Sequence, residues 1–144
     1  LGLTEEDLTP VDISINTSST AKAKLEQLHQ GVEVYGGFLK VFVNRPKDIV
    51  FEISNQFKKV KNILEGRINF DKDAAKLKLS QSYANNNAQV NFKRGPVIYS
   101  NNIQAEYAWV FNLSYIENNN MYVFEVLVSA FDAREILKNT MLHY

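Results

Sequence analysis

The chain has no cysteine. Disulfides, thiolate metal sites and a cysteine nucleophile are therefore excluded. The compartment stays open, because reduced cytosolic proteins and cysteine-poor secreted ones share this feature. Neither sign of charge is in excess: 16 Lys and Arg face 16 Asp and Glu. A whole-protein field that would hold nucleic acid is absent. No apolar run approaches the ~20 residues of a bilayer span, and no segment has the basic-then-apolar order of a signal peptide. No glycine-rich phosphate loop is present, since Gly36-Gly37 lacks the rest of either common fingerprint. Histidine occurs twice, at His29 and His143, and both read as structural.

What remains is an ordinary globular composition. Hydrophobic residues make up 45% of the 144 and charged residues 22%, which excludes disorder and collagen-like order. Nine Phe, seven Tyr and one Trp can build a core. The length fits one domain over 1–144, with 1–10 as a loose N-terminal arm. Because the first residue is Leu1, the expectation is a fragment or a processed form.

The periodicity predicts a short strand at Val11, Ile13 and Ile15. Ala21, Leu25 and Leu28 then fall on one helical face, with Gly31 placed as its terminator. Gly36-Gly37, between two apolar runs, predicts either a tight hairpin or a bulge in one long strand. A helix is expected from about Pro46 to Phe57, with a strand as the alternative because Ile49, Phe51 and Ile53 alternate. A hairpin is expected to turn at Asp71-Lys72-Asp73, with Lys76 and Lys78 on its wet face. A shorter strand follows at Ala88 to Phe92. The clearest element is a long hairpin from Ile103 to Ala130, alternating apolar and polar residues around the turn Asn118-Asn119-Asn120. Asp132 is placed to cap a last helix with Ala133, Ile136, Leu137 and Met141 as its stripe. The expected fold is α+β, a mainly antiparallel sheet of about five to seven strands with two or three helices packed on one face.

Residues 38–131 resemble a family of small secreted bacterial domains of unknown function with a TBP-like α+β fold. The matching pieces are the strand Phe38 to Val43, a helix opening at Pro46-Lys47-Asp48, a hairpin around Phe70 to Ala75 and the long hairpin turning at Asn118 to Asn120. The resemblance implies the cell envelope, periplasmic or extracellular, and a non-enzymatic role. A cytoplasmic location stays open.

Candidate chemistry is sparse. Asp71-Lys72-Asp73 lacks the Gly and distal Glu of a helix-flanked calcium loop, and no metal or cofactor is expected. The leading expectation is a non-catalytic binding or protein-interaction domain exported to the envelope, with an unidentified protein or small molecule as partner and the oligomeric state open. One alternative is a small-molecule-binding or enzymatic cone-shaped α+β domain whose cavity is lined by Tyr107, Trp109 and Tyr115. Another is an anion-binding surface in residues 58–94, built from Lys58, Lys59, Lys61, Lys76, Lys78, Lys93 and Arg94. Against that surface stands the plainer possibility of a solvated face that keeps sheet edges apart.

Overall fold

A computed structural model describes residues 8–15, 20–44, 49–60, 63 and 68–143. Among these residues the chain is mostly strand: β1 (Leu8–Ile15), β2 (Thr20–His29), β3 (Val32–Asn44), β4 (Ile49–Asn55), β5 (Gln89–Ser100), β6 (Ala105–Glu117), β7 (Asn120–Ser129) and β8 (Glu135–His143). One α-helix, α1 (Lys72–Ser82), and a single 3-10 turn at Ala84–Asn86 complete it. The strands form one sheet in the order β1-β2-β3-β5-β6-β7-β8, and β4 also pairs with β3. All pairings are antiparallel except β3 with β5, which meet in parallel at Val34 and Ile98. The mainly antiparallel sheet is as expected, though eight strands are described where about five to seven were expected. The α+β class with two or three helices on one face is overturned, because the three segments expected as helices carry strands and one expected hairpin is the only α-helix described.

Each correction has a local cause. Residues 20–29 are rich in helix formers, yet Lys22, Lys24 and Glu26 alternate with Ala21, Ala23 and Leu25. Pairing on both sides, with β1 and with β3, decides between the two periods. Gly31 does need a positive φ (80°), but beside Gln30 (50°) in a two-residue hairpin loop rather than at a helix end. The helix expected from Pro46 is replaced, over Ile49–Asn55, by β4; Pro46 itself lies outside the described residues. Residues 72–82 form a helix because Asp71 Oδ1 accepts the Ala74 N–H at 2.8 Å, a side-chain N-cap. Ala75 and Leu79, four apart, are the helix's buried residues, while Leu77, which completes the apparent alternation, is 60% exposed. The last segment is β8. Its register steps from Leu127 opposite Leu137 to Val128 opposite Glu135, so Ile136 is a bulge. Ile136 and Leu137 therefore pack on the same core cluster, which mimics a helical stripe in the sequence.

The long hairpin is as read: Asn118 and Asn119 turn it with φ of 51° and 62°. One face of β6 and β7 carries Trp109, Phe111, Leu113, Phe124, Val126 and Val128 under α1. The other face is covered over its middle and half-buried at Asn112 and Ser114. Ala108, Val110 and Leu127 pack there with Val97, and Glu106 is only 8% exposed. Glu106 accepts hydrogen bonds from Ser129 Oγ at 2.6 Å and from the Arg134 guanidinium.

Candidate functional site

Two bulges face each other where β3 meets β5. On β3, Val34 to Gly37 stand opposite Gln27 alone, because the register jumps from Glu26–Phe38 to Leu28–Glu33. Gly36 takes φ +72°, and a Cβ on Gly37 would overlap Gln27 Oε1. Gln27, 3% exposed, turns its amide to the main chain of Lys58: Nε2 donates to the carbonyl oxygen and Oε1 accepts from the N–H, each at 2.9 Å. This clamp holds the segment after β4 against the β3 ridge. On β5, the register steps from Phe92–Phe111 to Arg94–Val110, which leaves Lys93 as an extra residue. A bulge re-aims side chains, and here Lys93 and Arg94 both reach the same carboxylate.

That carboxylate is Glu125, 8% exposed on the face of β7 away from α1. Lys93 Nζ donates to its Oε1 at 2.6 Å, Arg94 Nη1 lies 3.6 Å away, and the Tyr35 hydroxyl donates to Oε2. Arg94 also grips Glu33 with both arms, Nε to Oε1 at 2.8 Å and Nη2 to Oε2 at 2.9 Å. Asn139 Nδ2 donates to the Tyr35 oxygen at 3.1 Å, and the guanidinium lies 5.7 Å from the Tyr35 ring centre. Burial alone would raise the Glu125 carboxyl, but hydrogen bonds from Lys93 and Tyr35 and the two nearby cations hold it below its usual range. Burial, then the hydrogen bond to Glu125, pushes the Tyr35 phenol up to about 12. The hydrogen bond to Glu33 raises Arg94. Two carboxylates and two cations thus balance around a tyrosine held in place from several directions.

A concavity opens on each side of this ridge. One of about 240 Å3 is lined by Lys24, Glu26, Phe38 and Arg94 among others. The second, of about 320 Å3, is lined by Tyr35, Tyr99, Leu137, Lys58, Asn101 and Asn102 among others.

The residues singled out in the sequence are dispersed differently. Tyr107, Trp109 and Tyr115 do share one face of β6, against the α1 core. Trp109 is 9% exposed and donates Nε1–H to the Phe70 carbonyl at 2.8 Å. Tyr115 packs on Tyr83, Tyr122 and Phe124, with ring centres 5.4–6.1 Å apart. Of the basic set, Lys76 and Lys78 lie on α1, exposed, and not on a strand. Lys93 and Arg94 are engaged with carboxylates on the face of the sheet opposite α1. Lys58 borders the larger concavity, and Lys59 donates its main-chain N–H to Asn102 Oδ1 at 2.8 Å. Lys61 lies outside the described residues.

Glu33, Tyr35, Tyr99, Glu125 and Asn139 were missed by sequence reasoning. Glu125 had a signal, since it is the only charged residue from Met121 to Ala130. No described helix is long and apolar enough to cross a membrane. No protein-family model matches the chain, and no curated protein matches it significantly.

Proposed function

We propose that this protein is a non-catalytic binding domain whose ligand enters the cleft beside Tyr35. The observation that carries this reading is the direction of the two proton affinities at the ridge. Glu125 is held ionised and Tyr35 is held protonated, so both move away from neutrality. A general acid or base works best when its pKa lies near the operating pH. These groups are instead arranged as a fixed scaffold, with each charge already answered by a partner. Bulges concentrate beside functional sites, and two of them build this one.

The test is a titration of isotope-labelled protein with a metabolite panel, followed by amide shifts and by recovery of each compound. Shifts centred on Tyr35, Gly36, Tyr99 and Asn102, with the compound returned unchanged, are the expected result. Turnover of a panel compound, or shifts confined to the α1 face, would overturn the reading. An envelope location goes with it as a proposal, supported by the resemblance at Phe38 to Val43 and at the Asn118 to Asn120 hairpin. Fractionation of cells producing the natural protein checks that part.

A further inference from the structure

We infer that the larger concavity receives a carboxylated sugar, with the pyranose between Tyr35 and Tyr99 and its carboxylate at Lys58. The inference rests on the binding-domain reading and names its ligand class. Three features of the lining converge on it. First, two tyrosine rings and Leu137 supply apolar surface in a space of about 320 Å3, the lower end of the ~300–1,000 Å3 common for small-molecule sites. Tyr35 is a preset platform, because Glu125, Asn139 and Arg94 fix it before any ligand arrives.

Second, the lining includes neutral polar groups able to meet hydroxyls, Asn101, Asn102 and Tyr99. Asn101 Oδ1 accepts the N–H groups of Ile103 and Gln104, at 2.9 and 2.8 Å, and Asn102 Oδ1 accepts that of Lys59. Both carboxamides are therefore oriented by their oxygens, which leaves each Nδ2 as a donor with no partner among the described residues. The Tyr99 hydroxyl has no such partner either. Apolar ring faces bordered by amide and phenol donors suit a ring with C–H faces and equatorial hydroxyls.

Third, the described lining holds one cation, Lys58, and no carboxylate. A zwitterion would leave its ammonium unanswered, and a phosphate dianion would meet a single positive charge. One carboxylate is matched. Among the described residues the Lys58 side chain has no ion-pair partner, and Gln27 holds only its main chain.

The experiment titrates the full chain with D-glucuronate, D-glucose and acetate, reading amide shifts. Glucuronate is expected to move Tyr35, Lys58, Tyr99 and Asn102 and to bind at least about fivefold tighter than either control. Tyr99→Ala and Lys58→Gln should each weaken it by about fivefold or more, whereas Lys76→Gln on α1 should leave it unchanged. Lys58→Gln keeps the main-chain clamp, so loss of fold does not confound it. Methyl glucuronide binding as well as the free acid assigns the site to ends of a polysaccharide, and its failure beside a bound free acid assigns free sugar acids. Acetate matching glucuronate would overturn the sugar, and glucose matching it would overturn the carboxylate. No response to any of the three up to ~50 mM overturns the inference. The binding-domain reading survives that last result if other panel compounds shift the same amides, and falls with it if none does.

Discussion

Lys93 and Glu125, 32 residues apart, meet at 2.6 Å because β5 carries one residue more than β6 at that point. The bulge swings Lys93 to the side of the sheet where Arg94 already projects. Without it, strict alternation would send the two cations to opposite faces. One local irregularity in hydrogen bonding thus creates the charge balance around a buried carboxylate.

Removing that carboxylate should therefore be costly. Glu125→Gln leaves Lys93 and Arg94 facing each other and weakens the acceptor of Tyr35. Breaking a fully buried pair costs ~3–5 kcal/mol. Lys93 and Arg94 are 36% and 37% exposed, so solvent screening lowers the expectation to roughly 1–3 kcal/mol. Urea unfolding at neutral pH checks it, and Lys93→Met should cost less because Arg94 and Tyr35 still serve Glu125. The pH dependence has a definite sign. The folded carboxyl lies below its unfolded value of ~4.3, so its stabilisation is complete above that pH. It fades as pH falls through the folded value, and the Glu125→Gln variant should show a flatter acid limb.

Tyr35 governs the alkaline side. Its phenol is raised to about 12 in the folded protein, against ~10 when unfolded. The protonated form's contribution is complete below pH ~10 and disappears as pH rises toward the folded value. Tyr35→Phe should lose that share of the alkaline stability change and should remove one late-titrating phenol from the ultraviolet difference spectrum. A variant with an unchanged alkaline limb would show that burial and Glu125 do not raise the Tyr35 phenol.

Gly95 is predicted to resist substitution. It has φ +141°, and an added Cβ would sit 3.1 Å from Trp109 Cε3 and 3.2 Å from the Ala108 carbonyl oxygen. Both neighbours are buried, and the Trp109 indole is tied to Phe70, so little can yield. Gly95→Ala should destabilise by roughly 1–3 kcal/mol. Trp109 is the only tryptophan, so its fluorescence reports the local change directly.

The hairpin of β6 and β7 was legible because its alternation runs unbroken around Asn118 and Asn119. Where the ladder carries a bulge, as at Ile136, two adjacent apolar residues share a face and the pattern imitates a helix. The stretch from Lys72 to Ser82 failed the other way, since Ala75, Leu77 and Leu79 alternate as a strand would, and only the four-residue spacing of Ala75 and Leu79 with the Asp71 cap marks the helix. At the cleft, Lys93 and Arg94 were visible as charges but not as partners. Glu33 lies 61 residues from Arg94, and no local spacing encodes such a meeting. The bulge at Gly36-Gly37 was one of two readings of that pair, and it marks the place where Tyr35 stands.

Gln27 offers a test of how the cleft is held together. Its amide donates at one end and accepts at the other, matching the carbonyl and N–H of Lys58. Gln27→Ala leaves both main-chain groups without that partner and should destabilise by roughly 1–3 kcal/mol at every pH. Gln27→Glu keeps the shape and the acceptor but puts a charged oxygen against the Lys58 carbonyl. Protonation restores a donor there, so burial and this contact both raise the folded pKa of the new carboxyl. Its penalty should be full above that pKa and shrink, relative to the parent protein, as pH falls below it. Measuring unfolding free energy for all three proteins from pH 8 down to ~4 separates the cases. Parallel curves for Gln27→Glu and Gln27→Ala would mean that the side chain fills space and does not pair with the main chain of Lys58.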